Sequence, residues 1–240
     1  MRLAQFIAET VHLEGSKPLF EKLHEFVNQF GADCLSYHIV MRHLARIELE
    51  EGFVLGAFPA AWVQRYRQMN YFAIDPIIAH ALVSTKPFHW FEISQHVQLT
   101  DAQEAFLKDL GAYGMIDGLA IPVYGPTGSS AYFGVGSTTG ALDLPADEIL
   151  TLQYACNHVD MIHRELSDHA DGKNRIKLSA RETQVLGLLT RGLSNPAIAN
   201  ELGISDNTVD TLVRRCFNKL DVHDRVSAAV KGVAMGLVLR

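Results

Sequence analysis

Apolar residues recur three and four apart through SKPLFEKLHEFVNQFG, where Leu19, Leu23, Phe26, Val27 and Phe30 share one helical face. Ser16 as cap, Pro18 in the first turn and Gly31 at the far end bound that predicted helix. CLSYHIV (34–40) and GFVLGAF (52–58) predict strands, and AAWVQRYRQM (60–69) a helix with Trp62 and Tyr66 four apart on one side. Thr100 and Gln103 make a capping-box pattern ahead of the helix AFLKDLGAYG. GLAIPVYG and SAYFGVGS, separated by a Gly/Pro turn, predict a hairpin. Leu152, Cys156, Val159, Ile162 and Leu166 then trace an apolar stripe along a long helix. Helices flanking an antiparallel sheet is the economical architecture, an α+β domain built as an α–β–α sandwich.

The pattern changes at SDHADGKNR, 167–175, a polar stretch containing Gly172 with no apolar period. The expected division is therefore a first domain over 1–166, a linker over 167–175 and a second, all-α domain over 176–240. Four helices are predicted in the second: LSARETQVLGLLTRG with Ser179 and Glu182 as a capping box, SNPAIANELG capped by Ser194, SDNTVDTLVRRCFNKL capped by Ser205, and RVSAAVKGVAMGLV. In ANELGISDNTV, Ala199 lies four before Gly203 and Val209 six after it. A helix–turn–helix needs a small residue at the helix crossing, a glycine at the turn and a branched apolar residue locking the second helix down. Counting around that second helix puts Asn207, Thr208, Thr211, Arg214, Arg215 and Lys219 in position to contact DNA, with Val209 and Leu212 inward.

Composition sharpens the division. The 240 residues are 48% apolar, enough for a buried core, with a net charge of −6. Residues 173–240 hold 11 Lys/Arg against 6 Asp/Glu, net +5, whereas 1–172 hold 10 against 21, net −11. A basic tail on an acidic body suits the tail to an anionic polymer. No apolar run approaches the roughly 20 residues that cross a bilayer, and Glu9 and Glu14 interrupt the start where a signal peptide would be apolar. Cys34, Cys156 and Cys216 are widely spaced, as in a reduced, cytoplasmic chain. No membrane partner is expected.

Chemistry concentrates in AWVQRYRQMNYFAIDPI, 61–77, where Asp75 sits between Ile74 and Pro76 near Trp62, Tyr66 and Tyr71. A carboxylate in apolar company costs several kcal/mol, of order 1–7 by the reference chosen, unless hydrogen bonds are donated to it. Two donors are available in principle: the backbone of the following helix, IIAHALV, which Asp75 would cap, or a ligand. His158, His163 and His169 are five and six apart and miss the spacing of zinc helices, so packing or solvation explains them and no cofactor or metal is implied. No nucleophile–base pair is recognisable, which argues against an enzyme.

The tail resembles the C-terminal helix–turn–helix of LuxR-type regulators, matching at Glu182, Leu186, Gly192, Ile198, Ala199, Ser205, Thr208, Val209, Lys219 and Leu220. It departs at Asp210, where the family usually has a long polar residue, and at Leu212, often a His. The front domain resembles the acyl-homoserine-lactone-binding domain of quorum-sensing receptors through Trp62, Tyr66, Asp75, Pro76, Trp90 and Gly118, in that order. The resemblance implies a ligand site of Trp62, Tyr66, Tyr71, Asp75 and Trp90. Asp75 would accept the ligand's amide N–H, the Trp62 indole would donate to the lactone carbonyl and Tyr66 to the amide carbonyl. Tyr71 and Trp90 would pack on the ring or close the pocket, with Phe58 and Ile77 along the chain. Aligned on Pro122, Gly134 or its neighbours fall where members often carry a hydroxyl residue, so fewer polar partners and a wider wall would suit a different or longer acyl chain. The resemblance further implies a homodimer on an inverted-repeat DNA site, with RNA polymerase a further candidate partner. A ligand-independent regulator, or an antagonist that pairs with another receptor, is the alternative.

Overall fold

The computed structural model describes residues 1–43, 46–49, 54–56, 58–125, 130–170 and 176–238. The chain divides into two compact units, the first reaching His169 and the second containing Ala170–Arg240.

From the start of the chain, α1 (Leu3–Thr10) and α2 (Ser16–Asn28) lead into strands β1 (Cys34–His43), β2 (Arg46–Leu49) and β3 (Val54–Gly56). Then come α3 (Ala60–Gln68), a 3-10 turn (Tyr71–Ala73), α4 (Pro76–Ala81), β4 (Phe88–His89) and a second 3-10 segment (Trp90–Gln95). The unit closes with α5 (Asp101–Ala112), β5 (Asp117–Tyr124), β6 (Ser130–Ser137) and the long α6 (Ala146–Ala170). The sheet runs β2-β1-β6-β5-β4, with β3 also pairing to β1. The registers of β1 with β3 and β6, and of β5 with β4 and β6, are antiparallel.

Alternation along each strand sorts side chains onto two faces. One face presents Leu35, Tyr37, Leu119, Ile121, Val123, Phe133 and Val135, which pack with α1, α2 and α6 in one core. The other presents Cys34, Ala120 and Tyr132 to a second core made by α3, α4, α5 and the two 3-10 segments. The sandwich expected from the interleaved helices and strands is the observed fold. The α6 stripe of Leu152, Cys156, Val159 and Ile162 is buried in the first core, as its spacing predicts.

Several local expectations change. Ser16 makes no capping bond to α2, whose N-cap position is Gly15. Its hydroxyl instead shares a 2.8 Å hydrogen bond with His163 of α6, and His158 is bonded likewise to Thr10 at 2.9 Å; these histidines hold helices together. α2 stops at Asn28, short of Gly31. The expected linker, 167–175, begins inside α6, because helical hydrogen bonding continues to Ala170; 171–175 lie outside the described residues. So do 52, 53 and 57 of the predicted strand over 52–58, and the turn residues 126–129.

In the second unit, α7 (Ala180–Thr190), α8 (Asn195–Leu202), α9 (Asp206–Leu220) and α10 (Arg225–Ala234) surround a core of Leu186, Ile198, Ala199, Val209, Leu212 and Cys216. Ser179 with Glu182, Ser194 and Ser205 cap α7, α8 and α9 as predicted. Gly203 ends α8 in the left-handed region, φ 64°, a conformation that costs a residue with a side chain about 1 kcal/mol or more.

Candidate functional site

The second core of the first unit is asymmetric in side-chain size. Across the three central strands its sheet face carries Cys34 and Ser36 of β1, Gly118 and Ala120 of β5, and Gly134 and Gly136 of β6. In the paired registers Cys34 stands opposite Gly136 and Ser36 opposite Gly134, while Gly118 pairs with Gly136 and Ala120 with Gly134. The opposite face at the intervening positions is Leu, Tyr, Phe and Val. Bulk missing from the sheet is supplied by aromatics from the helices. Trp90 lies over the glycines: a Cβ on Gly118 would stand 2.2 Å from its ring and one on Gly136 2.8 Å. Trp62 packs edge-on to Tyr66 (5.6 Å between centroids), stacked with Tyr71 (5.9 Å, 26°) and tilted to Phe106 (5.7 Å).

Asp75 sits in this layer, 6% exposed. It caps α4: Oδ1 accepts from the backbone N–H groups of Ile77 (2.8 Å) and Ile78 (3.3 Å), and Pro76 fills the first turn, where no N–H is needed. The Tyr66 hydroxyl donates to Oδ2 at 2.9 Å. Capping and site membership, alternatives in the sequence, therefore coexist on one carboxylate, one oxygen serving each. Tyr66 does not stand as a donor held ready for a ligand carbonyl, because its single hydrogen is directed at Asp75. Burial pushes the Asp75 carboxyl up to about 6, against the opposing pull of the Tyr66 hydroxyl and the two backbone donors. At neutral pH the carboxylate is under-solvated, and a further N–H donor would stabilise it.

The other three site candidates come together with it, in altered roles. Tyr71 contributes its ring, but its hydroxyl donates to Asp109 on α5, which also accepts from Arg65 Nε at 2.8 Å. Trp90 is 5% exposed, and its indole N–H has no hydrogen-bond partner among the described residues. The Trp62 indole likewise makes no hydrogen bond among them. Gly134 does not widen the wall, since a Cβ there would be 2.5 Å from Ser36 Oγ; the Ser36 hydroxyl fills that space. Ser36, Phe106, Tyr113 and Met115 were not singled out by sequence reasoning. Period-two alternation in CLSYHIV could have put Ser36 on the Cys34 face, but helix-borne Phe106 carries no comparable signal. Among the described residues no group of three or more His, Cys, Asp or Glu is placed to hold a metal.

In the second unit, α8 and α9 form the helix–turn–helix, with Val209 and Leu212 buried as expected and Asn207, Thr208, Thr211, Arg214, Arg215 and Lys219 exposed. Thr208 shares a 2.8 Å hydrogen bond with the cap Ser205, and Thr211 donates to the Asn207 carbonyl at 2.9 Å. Arg214 Nε donates to Asp210 at 3.0 Å, so the awkward acid is paired along the helix.

A family model described as the autoinducer binding domain matches residues 16–162, and one described as bacterial regulatory proteins, luxR family, matches 177–231. The chain belongs to the LuxR-type regulators with an autoinducer-binding domain. The HTH-type quorum-sensing regulator RhlR of Pseudomonas aeruginosa is 26% identical, over 96% of this chain and 94% of its own. The transcriptional activator protein VanR of Vibrio anguillarum is 25% identical, over 99% and 98%. The solved structure of Escherichia coli SdiA is similar in fold, with a TM-score of 0.82 at 19% identity, covering 99% of this chain and 98% of that one. The sequence relatives are transcriptional regulators, not enzymes. Among the described residues no helix is long and apolar enough to cross a membrane.

As a LuxR-type helix–turn–helix, the second unit is braced by an ion pair. Lys219 Nζ donates to Glu182 Oε2 at 2.6 Å and to the Lys177 carbonyl at 2.9 Å. Lys219, expected as a DNA contact, thus spends its charge inside the domain, tying the end of α9 to the start of α7. Its bond to Glu182, followed by the Ser179 backbone N–H, holds the Glu182 carboxyl below the usual glutamate range. The stability this pair lends is present above the ordinary glutamate pKa and lost as pH falls through the depressed one.

Two outcomes are expected. Lys219→Met should lower unfolding free energy by about 2 kcal/mol at pH 7, because the buried Glu182 loses its cation and keeps only the Ser179 N–H; a urea titration showing no loss would remove the brace. For Asp75 the sign is opposite. Its folded pKa is raised, so the folded state binds more protons between pH 4 and 6, and stability falls as pH rises through that window. The difference in stability between the native chain and Asp75→Asn should slope across pH 4–6, and a flat difference would show that the carboxyl is not perturbed.

Proposed function

We propose that the protein is a quorum-sensing transcription regulator whose front domain binds an N-acyl-homoserine lactone between the small-residue sheet face and the aromatic helices. The observation that carries this reading is the buried Asp75 carboxylate: one oxygen is spent on the α4 backbone, the other turned to the Tyr66 side and able to accept one more N–H. The lone amide proton of an acyl-homoserine lactone supplies it. With Tyr66 committed to Asp75, the indole N–H groups of Trp62 and Trp90 are the donors left for the two ligand carbonyls, since indole can only donate. The apolar residues around them suit the hydrocarbon part.

The DNA-bound form is proposed to be a homodimer on an inverted repeat. On α6, the face turned away from the core carries Leu150, Tyr154 and Met161, exposed by 50, 62 and 53%. They follow the spacing i, i+4, i+11, so they form one stripe that a second α6 covers in a two-fold pairing. Two-fold symmetry would place α9 helices in successive major grooves, with half-sites about one helical turn apart. Asn207, Thr211, Arg214 and Arg215 face that groove, and RNA polymerase is a further proposed partner of the bound dimer.

A second reading has its own support. Asp75 already receives three hydrogen bonds from the protein, which favours a chain that folds without lactone and acts as a ligand-independent regulator or as an antagonist pairing with another receptor. Soluble yield and DNA binding of protein made without lactone separate the two.

Because a bound ligand stabilises by mass action, about 2.7 kcal/mol at a hundred times Kd, the melting temperature should rise with at least one lactone of a chain-length panel and not with a free fatty acid. The rise should disappear in Asp75→Asn; a midpoint that no lactone moves would sink the receptor reading. Tyr154→Glu should convert a dimer to a monomer in light scattering at micromolar concentration, and a dimer that persists would move the interface off α6.

A further inference from the structure

Asp210 puts a carboxylate on the helix that would meet an anionic polymer, and it does so where the chain departs from the LuxR-type pattern. The buried residues of α9 are Val209, Leu212, Val213, Cys216 and Leu220. Asn207, Thr211 and Arg214, spaced i, i+4 and i+7, run exposed along the opposite face. Asp210 flanks that row one turn before Arg214, and the two are bonded. Arg214 Nε donates to Asp210 Oδ2 at 3.0 Å, and Nη2 donates to the same oxygen. The side chains of Arg214 and Asp210 are 74 and 46% exposed. An exposed pair at this spacing adds little to the stability of a helix, so stability does not account for the acid.

The pair decides which edge of the guanidinium is left free. The five N–H groups of arginine lie in one plane as a rigid fork. Nε and one hydrogen of Nη2 make the side edge, and both are spent on Asp210. The end edge, with one hydrogen on Nη1 and the second on Nη2, makes no hydrogen bond among the described residues. Two N–H groups so arranged match O6 and N7 of guanine in the major groove. They also match two phosphate oxygens, and there the net charge matters. Attraction to the backbone follows the cations that neutralise phosphates; Asp210 cancels the charge of Arg214 and repels the phosphates itself. Guanine requires only two aligned donors. The ion pair has also already taken up rotamer freedom that an unpaired arginine would lose on reaching a base.

We propose that Asp210 is a specificity-determining residue, a positioning group that makes Arg214 the reader of one guanine in each half-site and turns it away from the phosphates. The inference rests on the placement of α9 in the major groove proposed above. Arg215, on the other flank of the exposed row and without an acidic partner among the described residues, is the arginine left for the backbone.

The test is site selection by the full chain from a random duplex pool, with the chain-length panel of lactones added. Affinities are then measured for the selected site, for that site with each guanine replaced, and for random-sequence duplex over a salt series. Arg214→Ala should lose at least tenfold of discrimination at one guanine per half-site. Asp210→Ala should shrink discrimination at that same guanine several-fold, tighten binding to random duplex several-fold and steepen the salt dependence. Asp210→Asn keeps an acceptor oxygen without the charge, and should retain more of the base preference than Asp210→Ala. In the double variant the base preference should be no weaker than in Arg214→Ala alone. A merely helix-stabilising Asp210 would, when removed, weaken every sequence alike and leave the preference at each base pair unchanged. That result, or undiminished discrimination in Arg214→Ala, would overturn the assignment and leave the groove placement standing. Selection of no sequence by the native chain would overturn both.

Discussion

A carboxylate inside an apolar layer constrains everything built around it. Asp75 could have been neutralised by a cation, and the fold does not do so. It gives one oxygen to the start of α4 and turns the other to an aromatic hydroxyl. That choice fixes α4 against α3 through Tyr66 and keeps the acid on the side of the sheet where bulk is absent. It also leaves a group whose ionisation is costly in isolation and rewarded when one more N–H arrives. A cation would have satisfied the charge and left no place for a further donor.

The two faces of the sheet show the same division of labour. Where Phe20, Tyr37 and Phe133 interlock, the face is a conventional core, with ring centroids 4.6–6.0 Å apart. Its buried acid among the described residues, Asp160, is matched by the Tyr37 hydroxyl at 2.6 Å and by Arg164 at 2.7 Å. On the opposite face, glycine, serine and alanine lower the floor, and Trp90 spans it by resting where side chains are missing. A residue larger than glycine at 118 or 136 would expel the indole. The interlocked aromatic core and the small-residue face with its buried acid are thus separated by the thickness of one strand layer.

How far this was legible in the sequence follows from the range of each interaction. Caps are local: Thr100 with Gln103, Ser179 with Glu182, and Ser205 all formed as their positions predict, because each bonds within one helical turn. Ser16 failed as a cap for a non-local reason, a histidine 147 residues away that competes for its hydroxyl. The gathering of Trp62, Tyr66, Tyr71, Asp75 and Trp90 into one core was readable from their resemblance to a known pattern. The directions of their polar atoms were not. Tyr71 turns to Asp109, 38 residues on, and Tyr66 to Asp75, choices set by packing that no local rule encodes. Lys219 shows the same limit: its charge suggested phosphate, and only the fold brings Glu182 to it.

That last pairing changes the electrostatic picture of the second domain. Lys219 is neutralised by Glu182 and Arg214 by Asp210, so among the described residues of α9 Arg215 is the basic side chain without an acidic partner. Each phosphate neutralised contributes about 0.9 to the salt slope of binding to double-stranded DNA. An α9 with its cations partly compensated gains less from the phosphate backbone than its three basic residues alone suggest. On the proposed reading, base contacts by groups such as Asn207 and Thr211 carry a larger share of the affinity for DNA.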